Sequence, residues 1–390
     1  MSDGTMAIPS ELNTSTQTKV PPTRWVFHLT GRTRRQLLRG VLVAVIFIAL
    51  NGLLAALFGV TILTYTITGL SVSSIVIVAA IGLSLLYGIR GFANFAHGDI
   101  MALGAYVALS VNLSGISIIW GAIVSFVVLA AVGILFEVII FSRLEGRGPV
   151  APIVASVGLA LIIQNGIRAV ATTRIWIYPV AALPEIQIVP GLGLDPIRHI
   201  LTPAIALLFV ISVHILLTYT NLGKAMRATA DNLELAKATG IDTKRVTYAT
   251  WAVSCSFAST AGVLLGLASF LRPEMGLNIL LLIFAAVIVG GIGSPWGAVL
   301  GGLVIGLSQE MSVPVFVWLA QPDVIGLVNS SAYKVAIPFV ILIFVLIIRP
   351  WGIAGRPPAF ARRVFFVERI TEALGRGTTA ADPAEGNDGG

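Results

Sequence analysis

The sequence predicts an all-α protein, a polytopic transmembrane helical bundle of about 8–10 spans that include broken or half-helices. Three observations carry this. Hydrophobic residues make up 56% of the 390 and charged residues only 11%. The mean hydropathy is +0.94. Apolar runs near the ~20-residue bilayer length recur along the chain, which excludes a soluble globular domain.

The elements follow in order. Residues 1–39 form a polar, basic tail in which Arg32, Arg34, Arg35 and Arg39 stand directly before the first apolar run. No cleavable signal peptide is apparent, because that run begins too far in and lacks a small-x-small exit site. Candidate spans cover 41–58, 70–87, 100–113, 118–141, 150–170, 200–218, 246–270, 279–290, 298–307 extended toward Trp318, and 335–348, all inside a transmembrane domain of 40–355. The tail 356–390 is basic and then rich in Gly, Ala, Asp and Pro, a composition that predicts disorder.

Basic residues orient these spans. With the N terminus inside and every candidate crossing, twenty of the 25 Lys and Arg residues fall on inner segments. Arg168, Arg174, Arg198, Arg272 and Lys334 fall at or beyond outer ends. Both termini are therefore expected in the cytoplasm of a multi-pass cell (plasma or inner) membrane protein. The net charge of +7 sits where the anionic inner leaflet attracts it. The lipid bilayer is the partner this implies, and no nucleic acid is needed.

One cytoplasmic segment, 221–245, holds eight charged residues: Lys224, Arg227, Asp231, Glu234, Lys237, Asp242, Lys244 and Arg245. It reads as a short helix capped by Asp231, with Glu234 three residues later as in a capping box, and ended by Gly240. Ala230, Leu233, Ala236 and Gly240 then share a face of small apolar residues, suited to docking on a second protein; an ordinary solvated loop helix is the alternative.

Chemistry is sparse. The sequence shows no phosphate loop, no H-E-x-x-H, no G-x-S-x-G and no His or Cys set at metal spacing, so no catalytic residue and no metal site is expected. Cys255 is alone inside a span and reads as packing. Energy must then come from an ion gradient or another chain.

Two glycine-bearing segments interrupt the apolar pattern, 83–104 (LSLLYGIRGFANFAHGDIMALG) and 287–302 (VIVGGIGSPWGAVLGG). The run 279–290 measures about 18 Å as a helix, short of a ~30 Å hydrocarbon core. Broken helices near the membrane centre point to a substrate path, here lined by Gly88, Gly91, Asn94, His97, Gly98, Asp99 and Gly104 from the first segment and Gly290, Gly291, Gly293, Ser294 and Gly297 from the second. The other reading is that the glycines serve close helix packing. Asn94, His97 and Asp99 need partners in so apolar a setting, and Asp99 stands where a carboxylate complements the dipole of the span beginning at 100. Glu137, one turn inside the inner end of its span, should pair with Arg143 or another inner cation.

These residues carry a family resemblance. The run LSLLYGIRGFANFAHGDIMALGAYVAL resembles the signature of the LivH-type permeases of branched-chain amino acid ATP-binding cassette (ABC) importers. Glu234, Leu235, Ala236, then Gly240 and Ile241 resemble the EAA loop of ABC import permeases. VGGIGSPWGAVLGG and the R-P-W-G ending near 349–352 are similar to further family stretches. The chain lacks the I-x-L-P continuation of the EAA pattern at 250–253, and about 65 residues precede the likeness, which spans roughly 70–355; only the docking half of that motif carries over.

The resemblance implies that 40–355 is a permease domain and that 221–245 is a cytoplasmic coupling loop with a short coupling helix. Asp231, Glu234, Leu235, Ala236, Gly240 and Ile241 would contact an ATPase. It implies as partners a second, LivM-like permease chain, two ATP-binding cassette subunits that bind ATP and Mg, and an extracytoplasmic solute-binding protein, with no cofactor on this chain. The outer segment 171–199, with Trp176, Tyr178 and four prolines, is the candidate face for the binding protein. Branched-chain or other small amino acids are the implied cargo. A permease for urea or short amides and an ion-coupled secondary carrier are the alternatives, the latter opposed by spans nearly free of buried charge.

Overall fold

The computed structural model describes residues 61–181, 184–189, 192–320 and 330–354. The expected span at 41–58, the basic run before it and the tail 356–390 lie outside them. The described chain begins with α1 (Thr61–Arg90), α2 (His97–Leu113), α3 (Ile118–Ile139) and α4 (Val150–Ala171). An outer segment with a small antiparallel hairpin follows, β1 (Ile186–Val189) and β2 (Leu192–Leu194), in register Ile186 to Leu194 and Gln187 to Gly193. Then come α5 (Thr202–Tyr219), the short α6 (Asn221–Asp231) and α7 (Leu233–Ala238), α8 (Thr243–Ala268), α9 (Met275–Gly290), α10 (Pro295–Met311), α11 (Val313–Leu319) and α12 (Ala336–Ile348).

The helices fall on the apolar runs, with corrections: the 70–87 span begins earlier, as α1 from Thr61, and the 298–307 run extended toward Trp318 is two helices, α10 and α11. The predicted 118–141 span stops as an α-helix at Ile139 and tightens into a 3-10 turn, Phe141–Leu144. The 200–218 span is preceded by a wide turn, Pro196–Leu201, whose start Asp195 caps by accepting from the N–H groups of Ile197 and Arg198. α1 is 30 residues long, about 45 Å, so it overshoots a bilayer core.

Burial separates a central from a peripheral set of helices. The most apolar stretches of α1 and α8 are 78% and 67% buried, against 22%, 28% and 17% for α3, α4 and α5. Periodic polarity cannot drive this in lipid, so close packing of small residues does. Gly104 of α2 lies against Ser259 of α8, and Ser125 of α3 bonds both the Gly104 carbonyl and the Ser259 hydroxyl. Gly262 abuts the Met101 backbone, Gly133 abuts Cys255, and Gly306 abuts Ser73. Cys255 is thus a packing residue. Around Trp251, which is fully buried, Phe141 and Phe92 stack in sequence with ring centroids 4.7 and 5.2 Å apart.

The outer segment is fastened down rather than displayed. Trp176 pairs with Leu271 through two backbone hydrogen bonds, and the buried Tyr178 donates its hydroxyl to the Ala105 carbonyl at 2.9 Å. Burial pushes the Tyr178 hydroxyl pKa well up. Ile175 and Ile177, on the opposite face of this extended stretch, are exposed. Of the aromatic pair assigned to a binding-protein face, Tyr178 therefore points inward.

Candidate functional site

Two constructions make up the site: the charged island and the paired helix breaks beneath it.

The island is two helices, not one. Thr220 caps α6 by accepting from Gly223 N–H, and α6 turns Gly223, Met226 and Thr229 inward at helical spacing. The second helix is capped by Asn232, whose Oδ1 accepts from Leu235 N–H at 2.9 Å. Asp231 is instead the last residue of α6, and Glu234 lies in the first turn of α7, 3.5 Å from Lys237, so the expected Asp231 capping box does not form. The reason is local. Asn232 alone adopts extended backbone, φ −159°, as an N-cap must. Gly240, at φ +83°, ends α7 in the left-handed region that glycine tolerates, while Gly240 and Ile241 N–H bond to the Lys237 and Ala236 carbonyls. Asp242 then caps α8 through Arg245 N–H.

The free face of α7 differs from the one expected. Ala236 is buried against its own chain, whereas Glu234, Leu235, Lys237, Ala238 and Gly240 are exposed, Leu235 to 62%. A large aliphatic side chain left in water on a short, capped helix is the feature that fits a protein contact.

Beneath the island, α6 lies on the end of α1 and the start of α10. Met226, Arg227 and Ala230 share a cleft of about 60 Å³ with Ser84, Gly88 and Gly293. The two glycine-rich segments meet here: a Cβ on Gly88 would stand 3.5 Å from the Gly293 carbonyl. Gly290 and Gly297 lie backbone to backbone, Gly291 and Gly293 take positive φ, and Ser294 caps α10 through Gly297 N–H. Past α12, Ile353 and Ala354 N–H bond to the Val289 and Gly290 carbonyls, the end of α9.

Gly88 belongs to α1 and Gly104 to α2; the first break itself is residues 91–96. Gly91 N–H bonds the Tyr87 carbonyl, and Asn94 builds a local turn by accepting from Ala96 N–H and His97 N–H. Phe95 N–H bonds Ser156 of α4. His97 Nε2 lies 2.9 Å from the Ala79 carbonyl, three turns back from the end of α1, or about 16 Å along it. The chain thus dips back toward the middle of the bundle before α2 begins. The dipeptide at Gly98 touches Gly276, so the first turns of α2 and α9 pack backbone to backbone. α9, 16 residues or about 24 Å, remains shorter than a hydrocarbon core. Asp99 lies in the first turn of α2 and is buried.

Glu137 pairs with Arg90 at 2.9 Å rather than with Arg143. Sequence reasoning missed a second, part-buried pair, Glu310 of α10 with Lys334 at 2.8 Å, because the two stand far apart in sequence and share no helix. Among the described residues no metal-like group of His, Cys, Asp and Glu converges.

A profile of the family described as "Branched-chain amino acid transport system / permease component" matches residues 65–346. The high-affinity branched-chain amino acid transport system permease protein LivH of Escherichia coli is 29% identical over 307 residues, covering 74% of this chain and 94% of that protein. Permease protein BraD of Pseudomonas aeruginosa is 28% identical over 305 residues, 75% and 95% of the two chains. The probable LivH of Methanocaldococcus jannaschii is 31% identical over 287 residues, 73% and 89%. No solved structure matches the chain.

Proposed function

Because the chain belongs to the family of branched-chain amino acid transport permease components, we propose that it forms one half of the membrane path of an ABC importer for branched-chain or similar small amino acids. A second LivM-like permease completes the path. Two cytoplasmic ATPases hold ATP and Mg, and an extracytoplasmic solute-binding protein delivers cargo. The chain itself is a multi-pass membrane transport component, with no cofactor of its own in this scheme and both termini in the cytoplasm.

One observation supports the division of labour above all: exposed α7 is joined to α6, and Met226, Arg227 and Ala230 of α6 line the same cleft as Gly88 and Gly293, where the two glycine-rich segments meet. A push on α7 by a closing ATPase is therefore delivered to both helix breaks. Nucleotide can shift the inward-to-outward balance only through contacts that differ between the two states, and Leu235 and Glu234 are placed to make them. The ion-coupled carrier is not favoured, because the profile and the relatives that match the chain are branched-chain amino acid transport permeases.

The test is an affinity pull-down of the tagged chain from solubilised native membranes, with mass spectrometry of what co-purifies. Two ATPases bearing phosphate loops and a second permease are expected. Recovery of the chain alone, active in vesicles without ATP, would overturn the assignment.

A further inference from the structure

A second cleft, about 100 Å³ and open on one side, lies where the first turns of α2 and α9 face the middle of α4. Its walls are apolar: Phe95 from the break before α2, Val157, Ala160 and Leu161 from α4, and Leu277 and Leu280 from α9. Two polar side chains reach into it, Asp99 and Gln164, only 2% and 8% exposed. Asp99 Oδ1 has no hydrogen-bond partner among the described residues. Arg168, the cation whose field reaches Asp99, bonds instead to Asn165 one turn along α4. A carboxylate at this depth is costly without a partner, and the dipole of α2 offsets only part of the cost.

The depth is that of the path. Phe95 N–H bonds Ser156, so the α1–α2 break is level with the start of this stretch of α4, and the Gly98–Gly276 contact joins the helix starts that carry Asp99 and Leu277. Half-helices that begin inside the membrane and converge on one point are the arrangement expected at a substrate station. An unpaired anion beside an amide and an apolar wall matches one chemical class: a primary ammonium carried next to a branched apolar side chain.

We propose that this cleft is a binding station for an aliphatic amino acid in transit, with Asp99 taking the α-ammonium, Gln164 adding a hydrogen bond, and Val157, Ala160, Leu161 and Leu280 receiving the side chain. The inference rests on the amino-acid importer reading above. It adds the residues that contact the cargo.

The test uses the complete importer, this chain with its partner subunits, reconstituted in vesicles and supplied with radiolabelled leucine. Ala160→Cys places a thiol in the wall; the native Cys255 is buried and packed, so it does not react. Leucine supplied under turnover should slow labelling of that thiol by a membrane-permeant maleimide severalfold, while an amine-free analogue, 4-methylpentanoate, should not. Asp99→Asn should lower leucine uptake at least ~10-fold, as loss of a charge-assisted hydrogen bond does, and Ala160→Leu should reduce leucine uptake more than alanine uptake. If Asp99→Asn fails to assemble, the thiol protection decides alone. Leucine uptake with no protection of the thiol would overturn the station and leave the importer standing; this is also the result if lipid or a side chain of the second permease fills the cleft. No leucine uptake by the unmodified importer would sink the amino-acid reading and the station together.

Discussion

The guanidinium of Arg90, at the end of α1, stands 2.9 Å from the carboxylate of Glu137 near the end of α3 and also donates to the Phe141 carbonyl at 2.9 Å. The pair is buried, the Glu137 side chain to all but 3%. It fixes the C-terminal end of α1 beside the break at 91–96.

Removing one member leaves an uncompensated buried charge. Arg90→Met or Glu137→Leu alone should therefore destabilise the protein by about 3–5 kcal/mol. The double variant Arg90→Met with Glu137→Leu should recover much of that loss. Thermal unfolding in detergent of the parent, the two single variants and the double variant, read as a double-mutant cycle, checks this; single losses that simply add in the double variant would show the pair contributes nothing.

The contact of Gly98 with Gly276 leaves no room for a side chain, since a Cβ on either would overlap backbone of the other. Gly276→Ala should cost about 1–3 kcal/mol through forced separation of α2 and α9. Gly158→Ala, on the exposed face of α4 where a Cβ meets nothing, should be neutral within about 0.5 kcal/mol. Melting temperatures of the two variants should differ clearly in that order.

Asn232, not Asp231, holds the start of α7. Asn232→Ala should weaken that helix by about 1 kcal/mol. Hydrogen exchange at Leu235 and Ala236 should quicken about fivefold, while Asp231→Ala should leave both rates unchanged. The reverse pattern would mean that the cap is misassigned.

Tyr178 keeps its proton because burial raises its pKa, and it spends that proton on the Ala105 carbonyl. Its folded-state pKa lies above the unfolded one, so its contribution is complete below about pH 10 and declines as pH rises beyond that. Tyr178→Phe should cost about 1 kcal/mol near neutrality and should flatten the alkaline loss of stability. A pH series of melting temperatures for both proteins reads this directly.

Much of this was legible in the sequence. Apolar runs locate α1 to α5, α8 to α10 and α12, because a bilayer demands long apolar helices. Charge density marks the island, and Gly240 marks where α7 stops. Contacts between distant positions were not legible. Nothing local distinguishes Arg90 from Arg143 as the partner of Glu137, or announces that Trp176 will pair with Leu271. The cap moved by one residue because Asp and Asn side chains serve that role about equally, and only the backbone decides which is extended. The glycines serve close packing: Gly98 and Gly276 abut backbone to backbone, which brings two helix starts together inside the bundle.

The two peptide N–H groups of Ile353 and Ala354 that close the end of α9 set a boundary for anyone shortening the chain. The family likeness stops at residue 346, yet a chain cut there would strand two carbonyls beside the Gly88–Gly293 meeting point. A shortened version that keeps both bonds must reach at least Ala354, whose dipeptide with Ile353 stitches the last segment to the end of α9.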